Sequence, residues 1–271
     1  ALEAGMKQQL AEIEKIAAEK AGILKKNVMC IVAEQIDEAK LEIEKAARQM
    51  RSALFSQNEQ WSVGAEQGRL VYQDDDGLLD LPVPKLAGHH QFSNAGCAIA
   101  AMRKLDLEFP QHVFEEGLRR VDWPARLQRF KSGALVEKAP RESEIWLDGG
   151  HNASAAEAIA QEMAEREEIN PRPLILICGM LNTKNADAFF QHFAGLAAKV
   201  LTVQIPDAPA SYEAEELAAM AEGADLDAAA MPDLATALAA CGALDRAPRI
   251  LICGSLYLAG VVLKANGNVL T

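Results

Sequence analysis

Short, uniformly apolar runs alternate with helix-forming segments through the second half of the chain, and this alternation is the feature that most constrains the fold. Strands that are apolar on both faces are typical of parallel sheets, in which a crossover helix follows each strand. The pattern therefore predicts an α/β fold with a parallel, Rossmann-like sheet. The predicted strands are residues 134–137, 145–148, 174–178, 200–205 and 250–253, and the predicted helices that cover the sheet include 213–221 and 233–240.

The strand predicted at 145–148 ends at an acid, Asp148, which is followed by Gly149, Gly150 and a helix that begins near Asn152. Ligands of parallel α/β sheets collect where the strands end, and the N–H groups at the start of the next helix favour anions. The two glycines allow a ligand to approach the backbone closely. The segment therefore predicts a ligand-binding turn, although an ordinary capped turn between a strand and a helix has the same pattern.

The first part of the chain mixes helices with short β runs. Residues 121–125, which include Pro124, form the predicted linker to the second half because proline forces an extended neighbour. The predicted elements before the linker are helices at 8–21, 36–54, 88–105 and 113–120, a parallel strand at 27–33, and a hairpin or meander at 61–63, 69–72 and 78–82.

A lysine in the first predicted helix needs explaining. At helical spacing, Lys20 falls between Ile13 and Ile16 on the apolar face. Burial disfavours a charged amine, so a lysine placed there needs a carboxylate partner, loses its proton or reacts. The alternative is a lysine whose aliphatic stem covers Ile16 while its ammonium group reaches water.

Composition excludes several classes of function. The chain has 39 acidic and 27 basic residues and a net charge of −12, which argues against a nucleic-acid partner because there is no excess of cations to neutralise phosphates. No apolar run approaches a membrane span and no signal peptide opens the chain, so no membrane partner and a cytoplasmic setting are expected. The five cysteines form no C-x-x-C pair and are expected to be reduced core residues.

Five motifs occur together and in a fixed order. Asp148-Gly149-Gly150-His151-Asn152 resembles the Asp-x-Ala-His-Asn-Pro motif of folylpolyglutamate synthases and dihydrofolate synthases, which are relatives of the bacterial Mur ligases. The other four motifs agree with the same family and span almost the whole chain. They are Glu19-Lys20-Ala21-Gly22-Ile23, Gly88-His89-His90-Gln91-Phe92-Ser93-Asn94-Ala95, Trp123-Pro124-Ala125-Arg126 and Gly254-Ser255-Leu256-Tyr257-Leu258-Ala259-Gly260.

The resemblance implies a domain organisation and an activity. It implies that residues 1–124 are the remainder of a P-loop-type, Mur ligase-type ATP-binding domain whose P-loop portion is absent, and that residues 125–271 are a Rossmann-like glutamate ligase domain. It implies an ATP-dependent acid–amino-acid ligase that adds L-glutamate to folate or dihydropteroate through an acyl phosphate. The implied cofactors are ATP and Mg²⁺, the implied partners are these small molecules alone, and a monomer is expected.

The resemblance also assigns roles to individual residues. The implied catalytic residues are Lys20, Arg126 and His151, and the implied nucleotide-binding residues are Asn94, Arg126, Asp148, His151 and Asn152. Within these sets, Lys20 is carbamylated and binds the metal, Asn94 contacts adenine, Arg126 contacts phosphate, and Asp148 accepts from the ribose hydroxyls.

Two further residues are predicted to hold the glutamate substrate. Lys184 lies in Gly179-Met180-Leu181-Asn182-Thr183-Lys184-Asn185, which resembles the family's Gly-Met-Leu-x-x-Lys-Asp, and Ser255 stands where the last strand enters a helix. Ordinary loop and capping contacts have the same pattern at both positions.

Three departures from the family pattern leave other functions open. The sequence has no G-x-x-x-x-G-K-[ST] motif, so this chain alone is expected to hold ATP weakly. Ala125 stands where the family has glycine, and Asn185 stands where the family has an acid. The alternatives are a Mur-type ligase that acts on a cell-wall precursor, and a non-catalytic module that no longer binds ATP.

Overall fold

The computed structural model describes residues 2–105, 107–243 and 246–268, and it divides into two compact units. The N-terminal unit comprises residues 1–85 and 90–121, and the C-terminal unit comprises residues 86–89 and 122–271. Each unit has its own buried apolar core. Within the described ranges, no helix combines the length and the apolar character that a membrane crossing requires. The predicted α/β class is confirmed.

The N-terminal unit contains a parallel strand pair and a separate antiparallel meander. Strand β1 pairs with β2, and β3, β4 and β5 form the three-stranded meander. Trp61 and Tyr72 stack in the core of the meander with their ring centroids 5.9 Å apart. The elements are α1 (Leu2–Ala21), β1 (Cys30–Val32), α2 (Asp37–Met50), β2 (Leu54–Ser56), β3 (Trp61–Glu66), β4 (Arg69–Asp74), β5 (Gly77–Leu81), α3 (His90–Arg103) and α4 (Gln111–Arg120).

Two predictions for this unit are wrong. The helix predicted at 36–54 ends at Met50, because Arg51 adopts a left-handed φ of +53°, and Leu54 then begins β2. Lys20 does not lie on the buried side of α1: its side chain is 73% exposed and its Nζ lies 3.2 Å from Glu19 Oε1. The buried stripe of this helix instead runs through Ala17 and Ala21, because these small residues allow close packing.

The C-terminal unit is built on a six-stranded sheet with the order β10-β9-β8-β11-β7-β6. All neighbouring strands are parallel except β6 and β7, which are antiparallel. The elements are β6 (Gln128–Phe130), α5 (Ala134–Lys138), β7 (Glu144–Leu147), α6 (Ala153–Ile169), β8 (Leu174–Cys178), α7 (Ala186–Phe190), β9 (Ala197–Val203), α8 (Ala214–Gly223), β10 (Ala228–Met231), α9 (Leu234–Ala240), β11 (Arg249–Cys253) and α10 (Leu256–Ala265).

The strand predicted at 134–137 is wrong, because this segment forms the short helix α5. The side chain of Asn266 stabilises the start of this helix: its Oδ1 accepts a hydrogen bond from Leu135 N at 3.1 Å, and its Nδ2 donates to Ser132 O at 3.1 Å. These contacts join residues more than 130 positions apart and leave no trace in local sequence. The sheet also contains β6 and β10, which the apolar pattern did not predict.

The helices divide between the two faces of the six-stranded sheet. Helices α6, α7 and α8 cover one face, and α5, α9 and α10 cover the other. The neighbouring strands β7 and β11 therefore lead into helices on opposite faces, α6 and α10. Such a switch point opens a crevice at the carboxyl ends of the two strands, and in open α/β sheets this is where ligands bind.

Candidate active site

The turn after β7 and the turn after β11 lie against each other at this crevice. Gly254 N donates a hydrogen bond to Gly150 O at 3.0 Å, and a side chain at Gly149 would overlap Leu256 Cδ2 of α10. Gly254 has a φ of +105°, which favours glycine. The close approach of the two turns therefore depends on glycines in both.

Asp148 is a buried anchor at the edge of the sheet, with 5% of its surface exposed. Its Oδ2 accepts a hydrogen bond from Leu127 N at 2.8 Å, and its Oδ1 accepts one from Gly150 N at 2.6 Å. Hydrogen bonds from N–H groups to a carboxylate are stronger than neutral ones and offset the cost of burying the charge. One side chain thus connects the turn after β7 to the segment before β6.

Arg126 lies in that segment, between the buried residues Ala125 and Leu127, and its side chain is exposed. Gly149 N donates a hydrogen bond to Ala125 O at 2.9 Å, so the backbone of Arg126 is bound to the turn that follows β7. Within the described residues, no carboxylate forms an ion pair with its guanidinium group. The structure therefore presents an available cation next to the predicted ligand turn, which suits an anionic ligand.

His151 and Asn152 follow the glycines. Nδ1 of His151 lies 3.2 Å from Gly149 O, and the side chain is half-buried. Asn152 is the N-cap of α6, since its Oδ1 accepts a hydrogen bond from Ala155 N at 2.9 Å. The sequence allows either Asn152 or Ser154 as the cap of this helix, and the structure shows that it is Asn152, whose side-chain oxygen is occupied by this bond.

The two residues predicted to hold glutamate lie after neighbouring strands. Ser255 is buried at the start of α10, where its Oγ accepts a hydrogen bond from Tyr257 N at 3.0 Å. Lys184 follows β8 and is half-buried, and its backbone oxygen accepts a hydrogen bond from Tyr212 Oη at 3.2 Å. Both residues lie at the carboxyl edge of the sheet, because β8 and β11 are parallel neighbours.

Two thiols lie beneath this edge. Cys178 and Cys253 end the neighbouring strands β8 and β11 and are buried. A hydrogen bond to the Cys178 thiol and burial hold the pKa of Cys253 well above its usual value. A neutral thiol is a poor nucleophile, so Cys253 acts as apolar packing beneath the site.

The remaining predicted residues lie in the N-terminal unit. Asn94 is exposed near the start of α3 and donates a hydrogen bond from Nδ2 to Gln91 Oε1 at 3.1 Å. Gln91 Nε2 in turn lies 2.9 Å from His90 Nε2, and Ser93 Oγ donates to Gln57 Oε1 at 2.8 Å. The start of α3 therefore contains two sets of hydrogen-bonded polar side chains, one that includes Asn94 and one that includes Ser93.

The described residues contain no cluster of acidic, histidine or cysteine side chains that could hold a metal ion. Among residues 2–105, 107–243 and 246–268, no group of three or more histidine, cysteine, aspartate or glutamate side chains is placed to hold a metal ion. Lys20, the predicted metal ligand, pairs with Glu19 on the surface of α1. The donor set of the described residues therefore does not fit a magnesium ion by itself.

Sequence reasoning missed two contributors to the site. Gln128 Oε1 accepts a hydrogen bond from Ala125 N at 3.0 Å, and the backbone of Leu127 is held by Asp148. Neither contact has a sequence motif, because one involves a common polar side chain and the other a backbone amide 21 positions from its partner.

Comparison with known proteins shows that this chain is similar to dihydrofolate and folylpolyglutamate synthases. A family model described as the C-terminal domain of dihydrofolate synthetase matches residues 132–265. The dihydrofolate synthase/folylpolyglutamate synthase of Haemophilus influenzae is 27% identical over 196 residues, which are 66% of this chain and 41% of that protein.

Solved structures agree with the same fold. The crystal structure of folylpolyglutamate synthase from Thermotoga maritima is 26% identical, with a TM-score of 0.71, and the match covers 94% of this chain and 57% of that one. The bifunctional folylpolyglutamate synthase/dihydrofolate synthase of Yersinia pestis, complexed with AMPPNP and a Mn ion, is 20% identical, with a TM-score of 0.77, over 93% of this chain and 56% of that one. The chain spans less than two thirds of the length of each of these relatives.

Proposed function

We propose that this chain is a member of the dihydrofolate synthase/folylpolyglutamate synthase family, to which it is similar, and that it forms part of an ATP-dependent ligase that joins L-glutamate to dihydropteroate or to a folate. The observation that carries this proposal is the placement of Arg126 and Asp148 together at the switch point of the six-stranded sheet. Within this proposal, residues 1–124 belong to the ATP-binding domain and residues 125–271 are the glutamate ligase domain.

The nucleotide would bind through the residues that the family resemblance assigns to it. ATP supplies the phosphoryl group that converts a carboxylate into an acylating agent. The exposed guanidinium of Arg126 would contact the phosphates as a planar donor of several hydrogen bonds, and Asn94 would contact adenine with its amide. His151 and Asn152 would lie beside the nucleotide. The assignment of Asp148 to the ribose hydroxyls stays a prediction; its carboxylate accepts hydrogen bonds from the backbone amides of Leu127 and Gly150.

Glutamate would bind at the carboxyl edge near β8 and β11. Lys184 offers an ammonium group there, and the first N–H groups of α10, which Ser255 caps, favour a carboxylate. Both side chains therefore suit a dicarboxylic amino acid. The ligase would be cytoplasmic and monomeric, and its partners would be small molecules alone.

A divalent metal is part of the proposal for the whole enzyme, but the residues described here do not form its site. Mg²⁺ binds few protein carboxylates and several waters and phosphate oxygens, so its remaining ligands would come from the nucleotide and from outside the described residues. Carbamylation of Lys20 stays a prediction, and we assign no step to it.

Replacing Arg126 by alanine is expected to weaken the binding of ADP by about tenfold or more, because a charge-assisted hydrogen bond contributes about 1.5–3 kcal/mol. Isothermal titration calorimetry with ADP measures the effect. Arg141→Ala is the matched control, since Arg141 is an exposed arginine of the same unit that lies before β7. Equal affinities of the two variants would contradict the placement of the phosphates.

The activity is tested by glutamate-dependent release of phosphate from ATP. We expect turnover with dihydropteroate or a reduced folate as the acceptor, and none with a cell-wall precursor. Turnover with the cell-wall precursor alone would replace the proposal by a Mur-type activity. Since the chain contains no P-loop motif, the turnover of this chain alone is expected to be low.

A further inference from the structure

The segment that presents Arg126 has an unusual backbone. Ala125 has a φ of +58° and Leu127 a φ of +40°, and neither is a glycine. Both side chains are buried, whereas that of Arg126 between them is exposed. L residues reach this left-handed region only at a cost in free energy, so surrounding contacts must hold the turn in place.

Three hydrogen bonds hold this turn, and two of them come from the segment that begins at Asp148. Asp148 Oδ2 accepts from Leu127 N at 2.8 Å, and Gly149 N donates to Ala125 O at 2.9 Å. The third, from Ala125 N to Gln128 Oε1 at 3.0 Å, closes the turn on the other side. The backbone is therefore held on both sides of Arg126, while no hydrogen bond or ion pair within the described residues restrains its side chain.

We infer that Asp148 is a positioning residue, which holds the strained turn 125–127 so that Arg126 projects toward the phosphates of a bound nucleotide. This inference rests on the proposed function. It assigns to the Asp148 carboxylate a task that does not require contact with the ligand. The same carboxylate also accepts from Gly150 N at 2.6 Å, so it fixes the arginine turn relative to the turn after β7.

The task requires two acceptor oxygens. In Asp148→Asn the amide has one oxygen and one NH₂ group, so an N–H donor would face either Leu127 N or Gly150 N. Such a donor facing a donor is unfavourable in a buried site. Asparagine therefore removes one of the two bonds while keeping the size of the side chain. The turn would then relax toward ordinary backbone angles and Arg126 would move.

The test compares two probes, ADP and inorganic pyrophosphate, by isothermal titration calorimetry without added metal. Pyrophosphate has no ribose. If Asp148 positions Arg126, Asp148→Asn weakens the binding of both probes by a similar factor, about tenfold. In an Arg126→Ala background the same substitution has little further effect, because the residue being positioned is gone. Weakened binding of ADP with unchanged binding of pyrophosphate would overturn the inference in favour of a ribose contact.

Relief of backbone strain provides a second variant. Glycine adopts a φ of +58° without penalty, so Ala125→Gly combined with Asp148→Asn is expected to recover part of the pyrophosphate affinity. A loss of affinity that came from a direct ligand contact would not be recovered in this way.

Gln128→Ala loosens the same turn from its other side without touching the Asp148 carboxylate, and a several-fold loss of pyrophosphate affinity is expected. Asp227→Asn is the control for charge, since Asp227 is exposed and precedes β10.

Amide hydrogen exchange, measured without any ligand, tests whether Asp148 holds the turn 125–127. The Leu127 N–H is expected to exchange faster in Asp148→Asn and to remain protected in Asp227→Asn. Unchanged protection of Leu127 would overturn the inference, whatever the binding results. If the unaltered chain binds neither probe, the proposed function fails for this chain, while the exchange rate still decides whether Asp148 holds the turn.

Discussion

Glu144→Gln is expected to lower the free energy of unfolding by about 3 kcal/mol, because it leaves the buried Arg249 with only the partly exposed Glu167 as a charged partner. Arg249 is 2% exposed, and its Nε donates to Glu144 Oε2 at 3.0 Å. Glu144 Oε1 also accepts from Arg129 Nη2 at 3.0 Å, and Trp146 Nε1 donates to Oε2 at 3.3 Å. Glutamine keeps the size of the side chain but removes the charge that balances these cations. Urea unfolding followed by tryptophan fluorescence measures the loss.

Glu116→Gln is the matched control for this substitution. Glu116 forms an exposed pair with Arg120, with an N–O distance of 3.4 Å, and its loss should change stability by less than about 0.5 kcal/mol. Comparable losses of unfolding free energy in the two variants would show that burial of the Arg249–Glu144 pair does not increase its contribution to stability.

The pH dependence of the Glu144 contribution has a definite sign. Burial raises the pKa of Glu144, but the hydrogen bonds from Arg249 and Trp146 and the positive charges of Arg129 and Arg249 together outweigh it, so the pKa lies below its ordinary value of 4.5. A carboxyl group whose pKa is lowered by folding stabilises the protein above its unfolded pKa and loses this contribution as pH falls through its folded pKa. The stability difference between the unaltered chain and Glu144→Gln should therefore be constant near neutral pH and shrink below about pH 4.5. A difference that grows on acidification would contradict the assignment.

Gly254→Ala is expected to destabilise the C-terminal unit by about 3 kcal/mol or more, because strain and overlap act together. Gly254 has a φ of +105°, and a Cβ there would lie 2.8 Å from Gly179 O and 2.8 Å from Cys178 Sγ. A backbone oxygen cannot move aside as a flexible side chain can. The turn after β11 would shift, so the binding of ADP should weaken as well. Thermal unfolding and calorimetry measure the two effects.

The control for this substitution is Gly260→Ala. Gly260 lies inside α10, and a Cβ there meets nothing within 4 Å. Alanine is expected to stabilise the helix by about 0.5–1 kcal/mol, because glycine has a higher conformational entropy in the unfolded chain. Destabilisation of similar size in both variants would mean that the turn at Gly254 has no special geometry.

Local sequence predicted the central strands well and the peripheral ones poorly. The strand predicted at 174–178 matches β8, because five consecutive apolar residues fit only a strand buried on both faces. The strand β10 consists of three alanines and a methionine, and alanine does not favour a strand over a helix. Leu54 continues the helical spacing of α2 and yet begins β2. The type of each central element was thus predictable, whereas the ends and the edges of the sheets were not.

Local sequence also predicted some residues of the candidate site correctly and others not. The motif at 148–152 predicted an acid at the carboxyl edge and a helix cap, and both lie where the strand-to-helix pattern put them. Helical spacing placed Lys20 with Ile16 on an apolar face, but Ile16 is itself 51% exposed. Periodicity gives the angle between side chains around a helix and does not say which side packs against α2.

The sequence by itself determined that strands and helices alternate, and that Asp148, Lys184 and Ser255 lie at strand ends, because these properties depend on residues adjacent in the chain. Only the tertiary structure decided that Asp148 binds the backbone of Leu127 and that Lys20 is exposed. A hydrogen bond between distant segments depends on where the sheet order brings them, and no local pattern encodes that order.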